Sequence, residues 1–298
     1  MKKKVLKIIA LVIAIALIVG IAWVANGLNG NPISKMLAEK AADAYIKEQF
    51  PNTDYYIENV GFSFKFTGYY AHVRSDTSID TQFTLHIDMV GNVFYDTYED
   101  VLSGAITERR VSQEYRNLVI QAFESPAFTW DLETAVGHLE IYPQEALDDP
   151  LIYDIREYAL AQEDLIIDHI YDPRELGEKC GYLSVWVESD TVSTELAAEI
   201  ILRIRNEFDN ANIPFRAIDL HLRHPMTEEG KREEGSIWIQ DFRYEDIYEE
   251  DLADRIQAAH DALEAYFAEQ DAKEKLVNEL LCDCSNSVYC TDINRRYS

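Results

Sequence analysis

The sequence predicts an α+β protein with an N-terminal transmembrane helix, a domain of one helix plus an antiparallel β-meander, and a ferredoxin-like β-α-β-β-α domain. Three observations support this class. An apolar run fills residues 8–25, strand and helix periods alternate after it, and an acidic, proline-containing stretch separates two patterned regions. We therefore expect an anchor at 1–30, a first domain at 31–124, a connector at 125–180, a second domain at 181–281 and a disordered tail at 282–298.

The segment that begins MKKKVLK is predicted to cross the membrane once. Its apolar run of about 18 residues makes roughly 27 Å of helix, close to the ~30 Å hydrocarbon core of a bilayer. A cleavable signal peptide is the alternative, but its apolar stretch should be shorter. A cleavage site also needs small residues at positions −3 and −1, and Trp23 occupies position −3 of a site that would follow Ala25. Lysines before the run place the N-terminus in the cytoplasm and the remaining chain outside the cell.

Two helices are predicted in the first domain. Asn31 and Pro32 are typical of a helix start, and Pro51 ends the helical period that follows them. The second helix is indicated by apolar residues spaced by three or four positions between Val111 and Phe123. Between these helices the period changes to that of strands.

Three segments in that interval alternate as strands of an antiparallel meander. The apolar side of the first runs from Tyr56 to Phe66, and the segments YYAHVRS and QFTLHIDM follow, with a tight turn at Gly91. His86 and Asp88 fall on the side opposite the apolar residues, as a half-solvated strand requires. We therefore interpret them as outward structural residues and not as an acid–base or metal-binding pair.

The second domain is predicted from the strands YLSVWVE, FRAIDLHL and SIWIQDF and from two amphipathic helices at 193–208 and 249–281. Their β-α-β-β-α order is typical of ferredoxin-like sandwiches with both helices on one face of the sheet. The connector before this domain combines an excess of acids with four prolines, so we expect it to be partly ordered; the prolines are Pro126, Pro143, Pro150 and Pro173.

Composition disfavours some classes of function. With 27 Lys and Arg against 54 Asp and Glu, the net charge of −27 repels phosphate groups, so binding to nucleic acid or to anionic lipid headgroups is disfavoured. Four cysteines are too few for a disulfide framework. Three of them, Cys282, Cys284 and Cys290, lie in the tail without a nearby histidine to complete a metal site, and their role stays open.

The sequence carries no motif for catalysis or cofactor binding: G-x-S-x-G, H-E-x-x-H, Walker A, G-x-G-x-x-G and EF-hand patterns are all missing. The strongest metal candidate joins Asp219, His221 and His224. Alternation puts His224 on the other side of that strand, and zinc needs three or four ligands. We therefore predict no catalytic, cofactor-binding or metal-binding residues and no cofactor.

An aromatic face on the second sheet is the predicted surface of most interest. Tyr182 and Trp186 project from one side of their strand, opposite its aliphatic residues, and Trp238 shares that side from a neighbouring strand. Since the helices are expected to cover the aliphatic side, the aromatic side needs another cover. It either packs internally, against the first domain or the connector, or it binds a partner.

Four segments carry a family resemblance: AADAYIKEQFP, FKFTGYYAHVRSDTSIDTQFTLHIDMVGNVFYDTYEDV, ELGEKCGYLSVWVES and AAEIILRIRNEFDNANIPFRAIDLHL. Behind a single apolar span, they resemble the YfjL-like membrane proteins of Gram-positive bacteria. The resemblance covers most of residues 1–270, implies a membrane protein and transfers no catalytic residues. The helix-then-meander order of the first domain is also similar to PepSY-like and cystatin-like modules, which is a likeness of fold alone.

Together these features predict a single-pass membrane protein whose extracytoplasmic domains bind or interact at the cell surface without catalysis. Its expected partners are the membrane, through the N-terminal helix, and a protein or the cell wall. Two alternatives stay open. One is an extracytoplasmic hydrolase acting on cell-wall or peptide substrates, which requires a deep pocket where histidines and carboxylates converge. The other is a protease-inhibitor-like module, which rests on the cystatin-like order.

Overall fold

The computed structural model describes residues 11–18, 20–21, 30–149 and 155–285. Residues 11–18 and 20–21 are helical, and the rest of the predicted membrane segment 8–25 lies outside the described residues. Within the described part, no helix combines the length and the apolar character needed to cross a membrane. The chain divides into two compact units, one of Met1–Val111, Ile141–Tyr153 and Leu160–Ile170, the other of Ser112–Glu140, Asp154–Ala159 and Tyr171–Ser298.

The first unit is built on an antiparallel sheet with the strand order β1-β2-β3-β4. Asn31 accepts a hydrogen bond from the Ser34 backbone N–H at 2.9 Å and so caps the first helix, as predicted. Short strands β6 and β7 form a separate parallel pair. The elements are α1 (Pro32–Gln49), β1 (Tyr56–Ser63), β2 (Gly68–Arg74), β3 (Gln82–Ile87), β4 (Val93–Asp96), α2 (Glu99–Leu102), β6 (Ile141–Tyr142), α4 (Gln144–Leu147) and β7 (Leu160–Ala161).

Helix α1 packs on one face of this sheet through small side chains. Ala38 and Ala42 are fully buried, which lets the helix approach the strands closely. Their neighbours in the core are the alternate residues Tyr69, Ala71 and Val73 of β2 and Phe83, Leu85 and Ile87 of β3. Because side chains alternate along a strand, the remaining residues of β2 and β3 point away from this core.

Strand β1 ends earlier than the sequence predicts. It stops at Ser63, which pairs with Gly68, so residues 64–67 form the turn, with Thr67 at a φ of 51°. Phe64 and Phe66, predicted on the apolar side of the strand, are therefore 63% and 39% exposed. Apolar residues continue to alternate with polar ones through residues 64–67, so the sequence pattern predicts strand where the structure has a turn.

The second unit has a four-stranded sheet in the order β10-β9-β8-β5. Helix α3 (Ala105–Phe123) begins in the first unit, and the division between the units falls within it. Cys282 and Cys284 lie in the last helix, whereas Cys290 and most of the predicted tail lie outside the described residues. The elements are β5 (Asp131–Leu139), α5 (Pro173–Cys180), β8 (Gly181–Glu188), α6 (Thr194–Asn210), β9 (Ala217–Arg223), β10 (Ser236–Arg243) and α7 (Leu252–Ser285).

The predicted β-α-β-β-α element order is present from β8 to α7 and the α+β class is confirmed, but the strands are not arranged as in a ferredoxin-like sandwich. A split β-α-β unit separates its two parallel strands, whereas β8 and β9 pair directly and in parallel. The additional strand β5 pairs antiparallel with the other edge of β8. It comes from the stretch 125–180, which the proline and acid content predicts as a connector and which also contains α5.

The aliphatic face of the second sheet is buried under α6. Tyr115 of α3 joins this core, where its hydroxyl donates a hydrogen bond to the Pro214 carbonyl at 3.0 Å. Gly137 and Gly181 pass so close to Tyr115 that a β-carbon at either position would collide with neighbouring atoms. The other core residues are Leu183, Val185, Val187, Ile218, Leu220 and Leu222 of the sheet and Ile200, Ile201, Ile204 and Phe208 of α6.

A buried carboxylate fixes the loop before β3. Asp80 accepts hydrogen bonds from Arg110 Nε at 2.6 Å, from Thr107 Oγ1 at 2.9 Å and from the Asp168 backbone N–H at 2.9 Å. Burial by itself raises the pKa of Asp80, but the hydrogen bonds from Arg110, Asp168 and Thr107 outweigh it and hold the pKa below its ordinary 3.8. The ionised form is therefore the one that the fold stabilises.

We expect Asp80→Ala to lower the free energy of unfolding by about 3–5 kcal/mol, because it leaves the guanidinium of Arg110 without its buried partner. The exposed Asp76, for which Asp76→Ala should cost under about 0.5 kcal/mol, is the control. Since the folded pKa of Asp80 is lowered, its contribution is present above pH 3.8 and is lost as the pH falls through the folded value. Equal urea midpoints for the two variants at pH 7 would contradict this role.

A second prediction concerns the β3–β4 turn. Gly91 has a φ of 91°, and a β-carbon there would lie 3.2 Å from the Leu37 carbonyl oxygen. Gly91→Val should therefore cost about 1–3 kcal/mol of unfolding free energy. Gly230→Val is the control, because Gly230 has a φ of 73° but no neighbour within 4 Å, so it isolates the backbone cost. A loss at Gly230 as large as that at Gly91 would show that the contact with α1 is unimportant.

Candidate functional site

A groove of about 770 Å³ lies on the face of the first sheet that α1 leaves uncovered. Outward side chains of β2 and β3 form its floor, and residues after β4 and at the start of α3 form one wall. All of them belong to the first unit. The floor residues are Tyr70, His72, Arg74, Gln82, Thr84 and His86, and the wall residues are Thr97, Asp100, Ile106 and Arg109.

Contacts between neighbouring strands fix the floor of the groove. His72 Nδ1 lies 3.0 Å from Thr84 Oγ1, and Arg74 Nε lies 3.0 Å from a carboxylate oxygen of Glu58 on β1. Neither His72 nor His86 pairs with a carboxylate in the part of the chain that the structure describes. The floor thus presents hydrogen-bonding groups in fixed positions without the histidine–carboxylate contact that general acid–base catalysis uses.

His86 stands at one end of the groove among aromatic rings. Its ring centroid lies 5.2 Å from that of Phe66 and 5.4 Å from that of Tyr95. Asp88 is turned into the hairpin, where its carboxylate accepts a hydrogen bond from the Asn92 backbone N–H at 2.8 Å, and the bonds from Asn92 lower its pKa. The prediction that these two residues lie on the side of the strand away from the core is confirmed. His86 lines the groove, and Asp88 stabilises the turn.

The structure places Tyr182, Trp186 and Trp238 on one face of the second sheet, with His221 between the two tryptophans. The His221 ring centroid lies 4.8 Å from that of Trp186, and the ring stacks on Trp238 at 5.4 Å. Trp238 also stacks on Phe267 at 5.0 Å. Because Phe267 belongs to α7, the last helix reaches this face at the edge strand β10, which differs from the expectation that the helices cover the aliphatic side alone.

Cations cover the other two rings. Arg223 Cζ lies 4.6 Å from the ring centroid of Trp186, and Arg156 Cζ lies 3.8 Å from that of Tyr182. Burial, aided by nearby arginine charges, lowers the pKa of His221, so its ring is neutral between the tryptophans at neutral pH. Each predicted residue of the aromatic face therefore has an internal partner within the second unit.

Arg156 is the centre of a charged cluster beside Tyr182. Its guanidinium nitrogens lie 3.4 Å from carboxylate oxygens of Glu140, Asp219 and Asp241. The Tyr182 hydroxyl donates a hydrogen bond to Asp219, and the Asp241 backbone N–H donates another at 2.6 Å. Burial raises the pKa of Asp219 above its ordinary value, although these hydrogen bonds and Arg156 oppose the shift.

A hollow of about 540 Å³ adjoins this cluster. A raised carboxyl pKa beside a hollow is a feature of acid–base sites, so the hydrolase alternative is best assessed here. Asp219 already has Tyr182, Arg156 and a backbone N–H as partners, which suits a structural ion cluster better than a proton-transfer group. The described lining contains no histidine and consists of Ile155, Arg156, Glu157, Asp219, Gln240, Asp241 and Arg243.

The residues considered for metal binding lie apart. Asp219 belongs to the charged cluster and His221 lies between tryptophan rings, whereas His224 Nδ1 is 3.8 Å from a carboxylate oxygen of Glu233. Across residues 11–18, 20–21, 30–149 and 155–285, no three potential ligands come close enough to hold a metal ion.

Two family models match the sequence: YfjL-like, N-terminal domain, over residues 3–97, and YfjL-like C-terminal domain, over residues 133–257. The chain belongs to the YfjL-like family. The second match begins inside β5, so the strand that completes the second sheet is part of the family's C-terminal domain. The search of curated proteins and the search of solved structures each found no match.

Sequence reasoning missed the groove of this YfjL-like protein because its two sides come from different segments. Alternation along β2 and β3 indicates a polar outward face, and that signal was sufficient to find the floor. The wall depends on Ile106 and Arg109, which precede the predicted helix start at Val111. No periodic signal places those two residues beside the sheet.

Substitution of Arg156 tests whether the contacts beside Tyr182 stabilise the second unit. Arg156→Ala removes a cation that faces three carboxylates, so we expect a loss of about 3–5 kcal/mol in unfolding free energy at pH 7. Without Arg156, the neighbouring carboxylates have higher pKa values in the folded than in the unfolded protein. The loss of unfolding free energy should therefore become smaller as the pH falls and these carboxylates are protonated. Arg203→Ala, at an exposed position of α6, is the control. A loss that is the same at pH 7 and pH 5 would contradict the electrostatic explanation.

Proposed function

We propose that the protein is a single-pass membrane protein with a cytoplasmic N-terminus, and that its two units act outside the cell in binding, without catalysis. The lysines before the apolar run and the length of that run, residues 8–25, support this orientation. The net charge of −27 disfavours nucleic acid as a partner. The resemblance of the sequence to YfjL-like membrane proteins of Gram-positive bacteria also supports a membrane location.

The groove on the first sheet is the observation that carries the proposed binding function. Its floor holds alternating polar side chains that α1 does not cover. The aromatic face of the second sheet is the weaker candidate, because a ligand there would have to displace Arg156, Arg223 or Phe267 from the rings they contact. Displacing buried ion-paired groups costs several kcal/mol.

The chemistry of the groove suits an extended polar ligand that also has an apolar side. Tyr70 and His86 present ring surfaces, and Gln82 and Thr84 present donors and acceptors. Aromatic rings bind apolar surface, while fixed polar groups select orientation. An extended peptide or a glycan strand of the cell surface has both features.

A hydrolase fits the groove less well. Cleavage of a peptide or glycosidic bond needs a positioned acid and base within reach of the same bond. Here His72 bonds to Thr84, and Glu58 is engaged by Arg74. The binding function is therefore the one that the geometry supports best.

We expect Arg109→Glu to weaken binding at the groove at least tenfold, because Arg109 is an exposed wall residue without an ion pair in the described chain. Full-length protein in detergent is tested against two probes, insoluble cell-wall glycan by co-sedimentation and an array of extended peptides. Arg203→Glu makes the same charge change on an exposed face of α6 and should bind like the wild type.

Three outcomes separate the alternatives. Retention of one probe that Arg109→Glu alone weakens supports the groove. Equal weakening by both variants would assign the effect to net charge, and no retention of either probe would contradict the binding function. Release of shorter fragments from a probe would favour the hydrolase.

A further inference from the structure

One end of the first sheet carries a group of exposed apolar side chains. The β1–β2 and β3–β4 turns both lie at this end, because Ser63 pairs with Gly68 and Tyr69 pairs with Ile87. We call it the turn end. Its exposed apolar residues are Phe64, Phe66, Val90 and Phe94, with the Phe66 and Phe94 rings 6.3 Å apart.

Helix α1 begins at the same end. The Asn31 backbone N–H donates a hydrogen bond to the Tyr69 hydroxyl at 3.0 Å, and that hydroxyl donates to the Asn31 carbonyl at 2.9 Å. On the other side, Gly91 in the β3–β4 turn lies against Leu37 of α1. The first turns of this helix add Ile33 and Met36, both exposed, to the apolar side chains of the turn end.

The chain therefore enters the first unit at the place where this unit exposes its apolar side chains. Only four residues, 26–29, separate Ala25, the last residue of the apolar run, from Gly30. Fully extended, the five Cα-to-Cα steps from Ala25 to Gly30 span roughly 17 Å at most. If the apolar run crosses the membrane, as in the function proposed above, this tether keeps the turn end within reach of the bilayer surface.

We propose that the turn end docks on the bilayer that anchors the chain, with Phe64, Phe66, Val90 and Phe94 inserted among the lipid headgroups. Phenylalanine is among the apolar side chains that interfacial segments bury at the boundary between headgroups and acyl chains, and a lysine between such residues can extend its charge to the headgroups. Lys65 stands between Phe64 and Phe66 in the turn.

The local charges fit a lipid surface although the whole chain is acidic. Helix α1 has no acidic residue in its first turn, and Lys35 lies there. The carboxylate of Asp88, at the start of the β3–β4 turn, accepts hydrogen bonds from the Val90 and Asn92 backbone N–H groups. Since insertion is driven by apolar contact, it should occur in zwitterionic vesicles and need no anionic lipid.

Site-specific photo-crosslinking tests this docking on the full-length protein. The photoreactive residue p-benzoylphenylalanine replaces Phe66 or Phe94, one at a time, and the protein is reconstituted into phosphatidylcholine vesicles that contain a fluorescent phosphatidylcholine. Two matched controls are Tyr56 and Ile79, which are also exposed but lie at the opposite end of the sheet, where Tyr56 pairs with Arg74 and Ile79 lies in the loop between β2 and β3. Ile15, within the apolar run, reports on the anchor separately.

We expect positions 66 and 94 to capture at least fivefold more lipid than positions 56 and 79. Equal capture at the two ends, or protein–protein products at 66 and 94 in place of lipid, would overturn the docking. Lipid capture at 15 without capture at 66 and 94 would refute the docking and leave the anchor standing. Capture at 66 and 94 but not at 15 would support docking and refute the anchor.

Discussion

Side chains alternate along a β-strand, so a sheet that buries its apolar residues under helices on one face must present every second residue on the other. Both four-stranded sheets of this protein obey that constraint. In the first unit, Ala38 and Ala42 bring α1 down onto β2 and β3, and the same geometry directs His72, Thr84 and His86 away from the core. In the second unit, burial of Leu183, Val185 and Val187 directs Tyr182 and Trp186 to the opposite side.

The two sheets differ on the face opposite their apolar core: the second covers that face with its own side chains, whereas the first leaves a groove. This difference determines where a ligand can bind. The second sheet covers its rings with its own cations and with Phe267, and it compensates three carboxylates with Arg156. A ligand would have to break these contacts and leave charged groups buried without partners, which is costly. The groove of the first sheet has polar groups already fixed by neighbouring strands and needs no such rearrangement.

The features that depend on local period could be predicted from the sequence, and those that depend on distant pairing could not. Capping by Asn31 and the outward position of His86 follow from residues a few positions apart. Pairing of β5 with β8 joins segments about fifty residues apart, and neither segment specifies the other. The strand period also continued through Phe64 and Phe66, so a turn with exposed aromatics looked like a buried strand.

A strongly acidic chain is repelled by anionic headgroups, and the proposed docking of the turn end would oppose that repulsion through apolar contact. Burying a phenylalanine side chain is worth about 1.5–3 kcal/mol, so a few such residues would bind a vesicle weakly on their own. With the proposed anchor, however, a tether of four residues would raise their effective concentration at the surface to roughly the millimolar range, where weak contacts are occupied. The net charge of −27 then acts on the rest of the surface, which anionic headgroups repel. Apolar contact at one end and repulsion elsewhere would orient the first unit and hold the His86 end of its groove close to the bilayer.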